Sequence, residues 1–438
     1  MTPSGFCLMK GVSPNGPVFP DKRLSMNEQY SIYLQRERLD LVGTLRLNNV
    51  RGRVSSVFTY DPQWLSAPGA FALSPDLSLD QYPKACSGLF LCFQDCSPDR
   101  WGRVLLQRQE RLAAAAEGRT PRALLESDFL LRVADHTRQG ALRISADGGK
   151  TFLAESGPDS VPPLVYLPKL LHAAQRVSKQ TESADELRLL VEPGSSLGGA
   201  RPKASVLGTN GELYIAKFPK QEDERDIPLW EYVTYQLAHK AGLKAPEVQL
   251  HHIAGKNVLL VRRFDRTCGL QEGQQVTGRI PFLSAMSLLQ AEDGDHSSYA
   301  DIAAVLQAEG AAPRDDLQEL WSRMVFNMCV YNVDDHLRNH GFLREVSGWR
   351  LSPVYDLETS HPGEKSAMLH TALIDEECDL NVNTAVEIAE FFRLRTSEAQ
   401  QRLAQIREAV SSWRQEALKV GARAAEVQVM KDAYEYCL

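Results

Sequence analysis

The stretch Tyr331-Asn332-Val333-Asp334-Asp335-His336-Leu337-Arg338-Asn339-His340-Gly341-Phe342 sets two carboxylates, two imidazoles and two carboxamides side by side. Just upstream, Trp321, Met324, Val325, Met328 and Cys329 follow the i, i+3, i+4, i+7, i+8 spacing of a buried amphipathic helix, which would deliver the cluster at its end. The same residue types also enrich ordinary turns, because Asn, Asp and Gly tolerate left-handed backbone and bond their own main chain. Taken alone the stretch fits a site and a loop equally well, and the remaining segments have to decide.

Working outward, 438 residues exceed a single core and predict two or three domains. A net charge of -7 and a pI near 5.9 argue against a chain that coats nucleic acid unaided, since neutralising phosphates needs a surplus of Lys and Arg. No run approaches the roughly 18 apolar residues that span a bilayer, and the N-terminus lacks a basic-then-apolar leader pattern. The expectation is a soluble, cytoplasmic protein. Eight cysteines lie scattered without C-x-x-C pairing, which points to reduced thiols; Cys86, Cys92 and Cys96 lack a fourth ligand at a zinc-finger spacing.

Alternating, β-branched stretches at Leu39–Leu47 and Val54–Tyr60 predict a β-rich N-terminal unit, followed by a Pro-punctuated loop region and a helix over Trp101–Ala116. Helices are predicted over Leu164–Val177 and over Ser183–Val191, the latter with Ser183 and Glu186 as a capping box. A glycine-rich turn then leads into a hairpin of Ala204–Val206 and Leu213–Phe218. Leu229, Val233, Leu237 and Ala241 mark a helix that Gly242 and Pro246 end, and Val258–Val261 reads as a short buried strand. Trp349–Asp356 is predicted as a strand. From Asn383 onward the chain reads as helical, with a capping box at Ser397 and Gln400 and a buried stripe of Leu403, Ile406, Val410 and Trp413.

Three pieces bear on chemistry. The glycine-rich turn Gly194 to Lys203 fits neither the Walker pattern nor G-x-G-x-x-G, yet its glycines let backbone N–H groups approach an anion and Arg201 and Lys203 add charge. Lys217 sits in an apolar strand just after it, and Glu231 lies near the start of the next helix; a kinase places a phosphate-pairing lysine and its holding glutamate in this order. Asp334 and Asn339 are five apart, the spacing of the kinase catalytic aspartate and metal-binding asparagine, and Asp356 follows where a second metal carboxylate is needed. Phosphoryl transfer requires a carboxylate to take the proton of the attacking hydroxyl and hard oxygen ligands for magnesium.

At these residues the chain resembles the HipA family of serine/threonine kinase toxins from bacterial toxin–antitoxin modules. The resemblance rests on Ser195-Ser196-Leu197-Gly198-Gly199-Ala200-Arg201-Pro202-Lys203, Ile215-Ala216-Lys217-Phe218-Pro219, Arg263-Phe264-Asp265-Arg266, Asp334-Asp335-His336-Leu337-Arg338-Asn339 and Pro353-Val354-Tyr355-Asp356. N-terminal blocks join them: Val42–Leu45, Phe58–Leu65, Pro98-Asp99-Arg100-Trp101-Gly102-Arg103 and Gly140–Arg143. It implies an α+β, protein-kinase-like two-lobed fold with a β-rich N-terminal subdomain and a mostly helical C-terminal lobe. The divisions would be 1–150 for the N-terminal subdomain, 151–262 for the kinase N-lobe with its Gly-rich loop, and 263–438 for the helical C-lobe with the catalytic loop.

The implied activity is transfer of the ATP γ-phosphate, with Mg2+, to a serine or threonine of a cellular protein such as a translation component. Asp334 would be the catalytic base, Lys217 the phosphate-binding lysine, and Asn339 and Asp356 the metal ligands. Nucleotide contacts would come from Ser195, Ser196, Leu197, Gly198, Gly199, Ala200, Lys203, Lys217, Glu231 and His336, and from the hinge Val261, Arg262, Arg263 and Phe264. Ser196 would be the autophosphorylated residue; a phosphate there repels the phosphates of ATP. The implied partner is a small DNA-binding, HipB-like antitoxin, with no direct nucleic-acid binding by this chain alone.

Asp335 stands where some family members have glycine, and no arginine precedes Asp334; spacing favours Asp334 as base. His336 and His340 lie i, i+4 apart but without the HExxH pattern, so structural roles are expected for them. Two other functions compete. A metal-dependent phosphoesterase or nuclease would use Asp334, His336, His340 and Asp356 around metal ions but leaves Lys217 and Glu231 idle. A catalytically silent ATP-binding partner protein would have no need of Asp334, Asn339 and Asp356 together.

Overall fold

The computed structural model describes residues 28–155, 161–194, 199–271 and 274–438. The N-terminal β-rich unit is a five-stranded antiparallel sheet in the order Lys84–Ser87, Arg53–Tyr60, Leu39–Val50, Glu28–Gln35, Leu142–Ser145. Its period-2 pattern points Tyr30, Ile32 and Leu34 inward against Leu45, Phe58 and Phe93. The hairpin turns on Arg51 and Gly52, both at positive φ, as a two-residue type I′ turn demands.

A second sheet has the order Lys203–Leu207, Leu213–Lys217, Lys256–Arg262, Val248–Ile253. The run Val258–Val261 is apolar throughout because this strand is covered on both faces. Val258 and Leu260 join Ala204, Val206 and Ala216 under the helices Arg100–Ala116, Leu167–Ser178 and Ala184–Gly194, while Leu259 and Val261 face the core that holds Leu229, Val233 and Leu237 of the helix Ile227–Lys240. The capping box forms: the Ser183 hydroxyl accepts from Glu186 N, and Glu186 accepts from Ser183 N.

The C-terminal part is mostly helical, with Tyr299–Glu309, Pro313–Cys329, Thr396–Ser411, Trp413–Lys419 and Ala424–Tyr434; the first two of these helices pack on a small sheet of Phe282–Ser284, Gly341–Arg344 and Trp349–Leu351. Helix Pro313–Cys329 buries the predicted stripe, and its last two turns are enclosed on every side, Arg323, Phe326 and Asn327 included. It therefore delivers the polar stretch into the middle of the molecule. The fold is mixed α and β, with sheets toward the N-terminus and helices toward the C-terminus.

Two local expectations need correcting. The strand from Trp349 stops at Leu351, because Pro353 has no N–H to continue a ladder, so Asp356 lies in irregular chain rather than at a strand end. The helix expected to be capped at Ser397 starts earlier, at Thr396, with Arg395 N donating to Glu398 across the first turn. Among the described residues no helix is long and apolar enough to cross a membrane, and Cys86, Cys92, Cys96, Cys329, Cys378 and Cys437 are free thiols.

Candidate active site

Lys203 and Lys217 face each other across the hairpin register, so both side chains leave the same face of the sheet. The face is the one toward helix Ile227–Lys240, whose second turn carries the buried Glu231. The Lys217 ammonium bonds both Glu231 Oε1 and Asp356 Oδ1. Burial pushes the Lys217 ammonium toward neutrality, but the two carboxylates outweigh it and hold its pKa well above the usual lysine value. Burial likewise pushes the Asp356 carboxyl up, and Lys217 and Lys203 more than offset that, keeping it ionised far below the usual range. Lys203 goes the other way: burial lowers it despite Asp356 nearby. Asp356 itself adopts a left-handed backbone, φ 53°, rare for a residue with a Cβ and typical of functional sites.

In the opening stretch the two neighbouring aspartates divide. The Asp335 carboxylate is buried and fully engaged: Oδ2 accepts from the Tyr299 hydroxyl at 2.7 Å, and Oδ1 from His370 N at 2.8 Å and Thr371 N at 3.3 Å. Burial pushes its pKa up to about 6, against those three donors. The Asp334 side chain is 55% exposed, with Lys365 Nζ 3.5 Å from Oδ1. Asn339 bridges the loop, its amide donating to Asp334 O at 2.8 Å.

The two histidines also divide. His340 is buried, its Nε2 3.1 Å from Asp335 O and its ring edge-on to Tyr299; burial lowers its pKa to about 3, so it is a neutral structural donor. His336 feels the Asp334 and Asp356 charges together, yet burial still lowers its pKa, and its Nδ1 is buried without a protein partner.

Phe264 lies against Tyr355, the residue before Asp356, with ring centroids 5.6 Å apart. Val261 is buried in the sheet, and Arg262 pairs with Glu212. The Arg263 guanidinium turns away from this cleft: it grips Asp265, Thr137 O and Arg138 O in the N-terminal subdomain. From the glycine-rich turn, Ser195, Ser196, Leu197 and Gly198 lie outside the described residues. Gly199 has φ +77°, in the left-handed region that favours glycine, with the Lys203 ammonium beside it. Ala200 is exposed beside it.

Several contributors carried no role in the sequence reading. Asp99 Oδ2 accepts Gly199 N at 2.8 Å, Trp101 N donates to Gly199 O, and Trp101 Nε1 donates to Lys203 O at 2.8 Å. The start of helix Arg100–Ala116 thus holds the exit of the glycine-rich turn. Asp99 and Trp101 belong to a block that marked the resemblance, which was the available signal. Tyr299 and Thr371, which fix Asp335, gave none.

A family model described as HipA-like C-terminal domain matches residues 195–414, and one described as HipA N-terminal domain matches residues 31–127. The protein Y4mE of Sinorhizobium fredii is 24% identical over 323 residues, 68% of this chain and 71% of that one. The serine/threonine-protein kinase toxin HipA of Shewanella oneidensis is 27% identical over 229 residues, 46% of this chain and 51% of its own, so the chain spans about half the length of that relative. A solved structure of the Shewanella oneidensis MR-1 toxin–antitoxin system, HipA with HipB and its operator DNA, superposes with a TM-score of 0.64 at 20% identity, covering 93% of this chain and 96% of that one. With family models matching at both ends of the sequence and the same fold along nearly all of it, the chain belongs to the HipA family, whose named members include a serine/threonine-protein kinase toxin.

Proposed function

We propose that the protein is an ATP- and Mg2+-dependent protein serine/threonine kinase of the HipA toxin type. The observation that carries this reading is the buried Lys217 ammonium held between Glu231 and Asp356. In this arrangement Lys217 and Lys203 meet ATP phosphates, and Asp334, the exposed aspartate, accepts the proton of the attacking hydroxyl. Asp335 is excluded from that task because its oxygens already hold three donors.

The donor set fits magnesium. Lys217 engages Asp356 Oδ1 and leaves Oδ2, and the Asn339 amide nitrogen is turned to Asp334 O, which leaves its carbonyl oxygen for a cation. Both are the hard oxygen donors that magnesium prefers. When bound, the ion would neutralise charge on the β- and γ-phosphates. Phe264 and the Val261–Phe264 backbone would meet the adenine, and Ser196 would be the autophosphorylated residue, the loop's own hydroxyl lying next to the phosphate site in sequence. A cellular protein would be the substrate and a small HipB-like DNA-binding protein the partner; the Shewanella complex motivates the latter. The divisions near residues 150 and 262 would separate the N-terminal subdomain, the N-lobe and the C-lobe.

The phosphoesterase reading needs both histidines at a metal, and His340 is instead buried against Asp335 O. Incubation with γ-labelled ATP and Mg2+, followed by phosphosite mapping beside Asp334→Asn and Asp356→Asn, tests the proposal. Label on Ser196 or on an added cell protein, lost in both variants, is expected; ATP binding without any label would overturn it.

A further inference from the structure

Arg338, the cation inside the catalytic loop, is turned outward and bound through both nitrogens to Asp293, at 2.6 and 3.1 Å. Lys203 and Lys217 are buried around Asp356. The positive charge beside Asp334 comes instead from Lys365, in the segment that follows Asp356, with Nζ 3.5 Å from Asp334 Oδ1.

That segment is tied down at several points. Tyr331 heads the catalytic loop in a left-handed conformation, φ 53°. Its carbonyl accepts Ser360 N at 3.0 Å, and its hydroxyl donates to Lys365 O at 3.0 Å. The turn between them closes on itself, with Glu364 N and Lys365 N donating to His361 O, and Arg225 clamps Glu364 from the start of the N-lobe helix. The Lys365 backbone is therefore fixed relative to Asp334 by the same residue that opens the catalytic loop. The ion pair does little for folding: with side chains 44% and 55% exposed, water screens it. A tethered backbone thus presents a partly exposed ammonium beside an exposed carboxylate, where a ligand can reach both.

We infer that Lys365 is a further catalytic residue of the kinase reaction, the cation that meets the transferring phosphoryl group next to Asp334. The inference rests on the kinase reading above. In the step, the substrate hydroxyl oxygen bonds to the γ-phosphorus, the bond from that phosphorus to the β–γ bridging oxygen breaks, ADP leaves, and the hydroxyl proton passes to Asp334. The hydroxyl must lie within about 3 Å of Asp334, which puts the γ-phosphoryl oxygens within reach of the Lys365 ammonium. Before nucleotide binds, the ammonium rests on Asp334; the phosphoryl oxygens draw it off and free the base.

The test compares Lys365→Ala and Lys365→Arg with wild type in two measurements on the full chain. Calorimetry with Mg2+ should show Lys365→Ala weakening ATP about fivefold while leaving ADP unchanged, since only ATP carries the γ-phosphoryl group. Labelling kinetics should show kcat down about 10- to 100-fold, largely restored by Lys365→Arg. Unchanged ATP preference together with wild-type kcat overturns the inference and leaves the kinase reading standing. A raised kcat also overturns it, marking the pair as a plug on the base. A wild-type chain that transfers no phosphate, with ATP preference still dependent on Lys365, upholds the phosphoryl contact and sinks the kinase reading.

Discussion

Replacing Asp335 with asparagine should separate a structural aspartate from a catalytic one and expose a pH dependence that its burial creates. The asparagine oxygen can still accept from His370 N and Thr371 N, and its NH2 can donate to the Tyr299 oxygen, so the shape and most of the hydrogen bonds survive. What disappears is the titration. In the folded chain the Asp335 carboxyl sits near 6 against an ordinary 3.8. A folded pKa above the unfolded one means that the group's contribution is full below about pH 4 and is lost as pH rises through about 6. The two-unit gap corresponds to about 3 kcal/mol. The stability of wild type relative to Asp335→Asn should therefore fall by about 2–3 kcal/mol between pH 4 and pH 7, roughly 3 °C in the difference of thermal midpoints. Taking the difference cancels titrations that both proteins share. Calorimetric midpoints measured at half-unit steps of pH check this, and a difference that stays flat would refute the buried, raised carboxyl. In the labelling assay the same variant should keep a substantial share of activity where Asp334→Asn has none.

Other outcomes follow from the same geometry. Glu231→Gln removes one of the two carboxylates holding Lys217 and should lower kcat/KM for ATP about 100-fold while leaving the thermal midpoint within a few degrees. Asp99→Ala takes away both the helix cap on Arg100 N and the acceptor for Gly199 N; a stability loss of about 1 kcal/mol in urea titration and a several-fold higher KM for ATP are expected. Asp316→Ala strands Arg350 and Leu351 N beside a fully buried position and should cost about 3–5 kcal/mol, read as a lower urea midpoint.

What the sequence made legible was local. Helix Pro313–Cys329, the hairpin after the glycine-rich turn and the doubly covered strand at Val258–Val261 all announce themselves by period, because burial on one or two faces leaves that mark. The overlong strand at Trp349 ignored a readable signal, the missing N–H of Pro353. The capping box at Ser397 failed because Arg395 and Glu398 form a competing cap two residues earlier, and the two patterns differ only in register. Lys217 and Glu231 were readable as a pair because their order along the chain is the one in which a kinase places its lysine and glutamate. Lys365 was not, since its place beside Asp334 depends on a turn pinned by Tyr331 and Arg225, far away in sequence.

The sharpest limit lies between Asp334 and Asp335, which composition and spacing alone barely tell apart. Their division follows from neighbours in three dimensions. Tyr299 opens one C-lobe helix, and His370 and Thr371 lie beyond Asp356; together they supply three donors that only one of two successive side chains can face. Once Asp335 is drawn inward, its own carbonyl is fixed by His340 and by the Thr371 hydroxyl at 2.6 Å, and the chain has no freedom to turn Asp334 inward as well. The buried carboxylate therefore determines the exposure of its neighbour: Asp335 anchors the loop, and Asp334 stands in solvent as a consequence, where a hydroxyl can reach it.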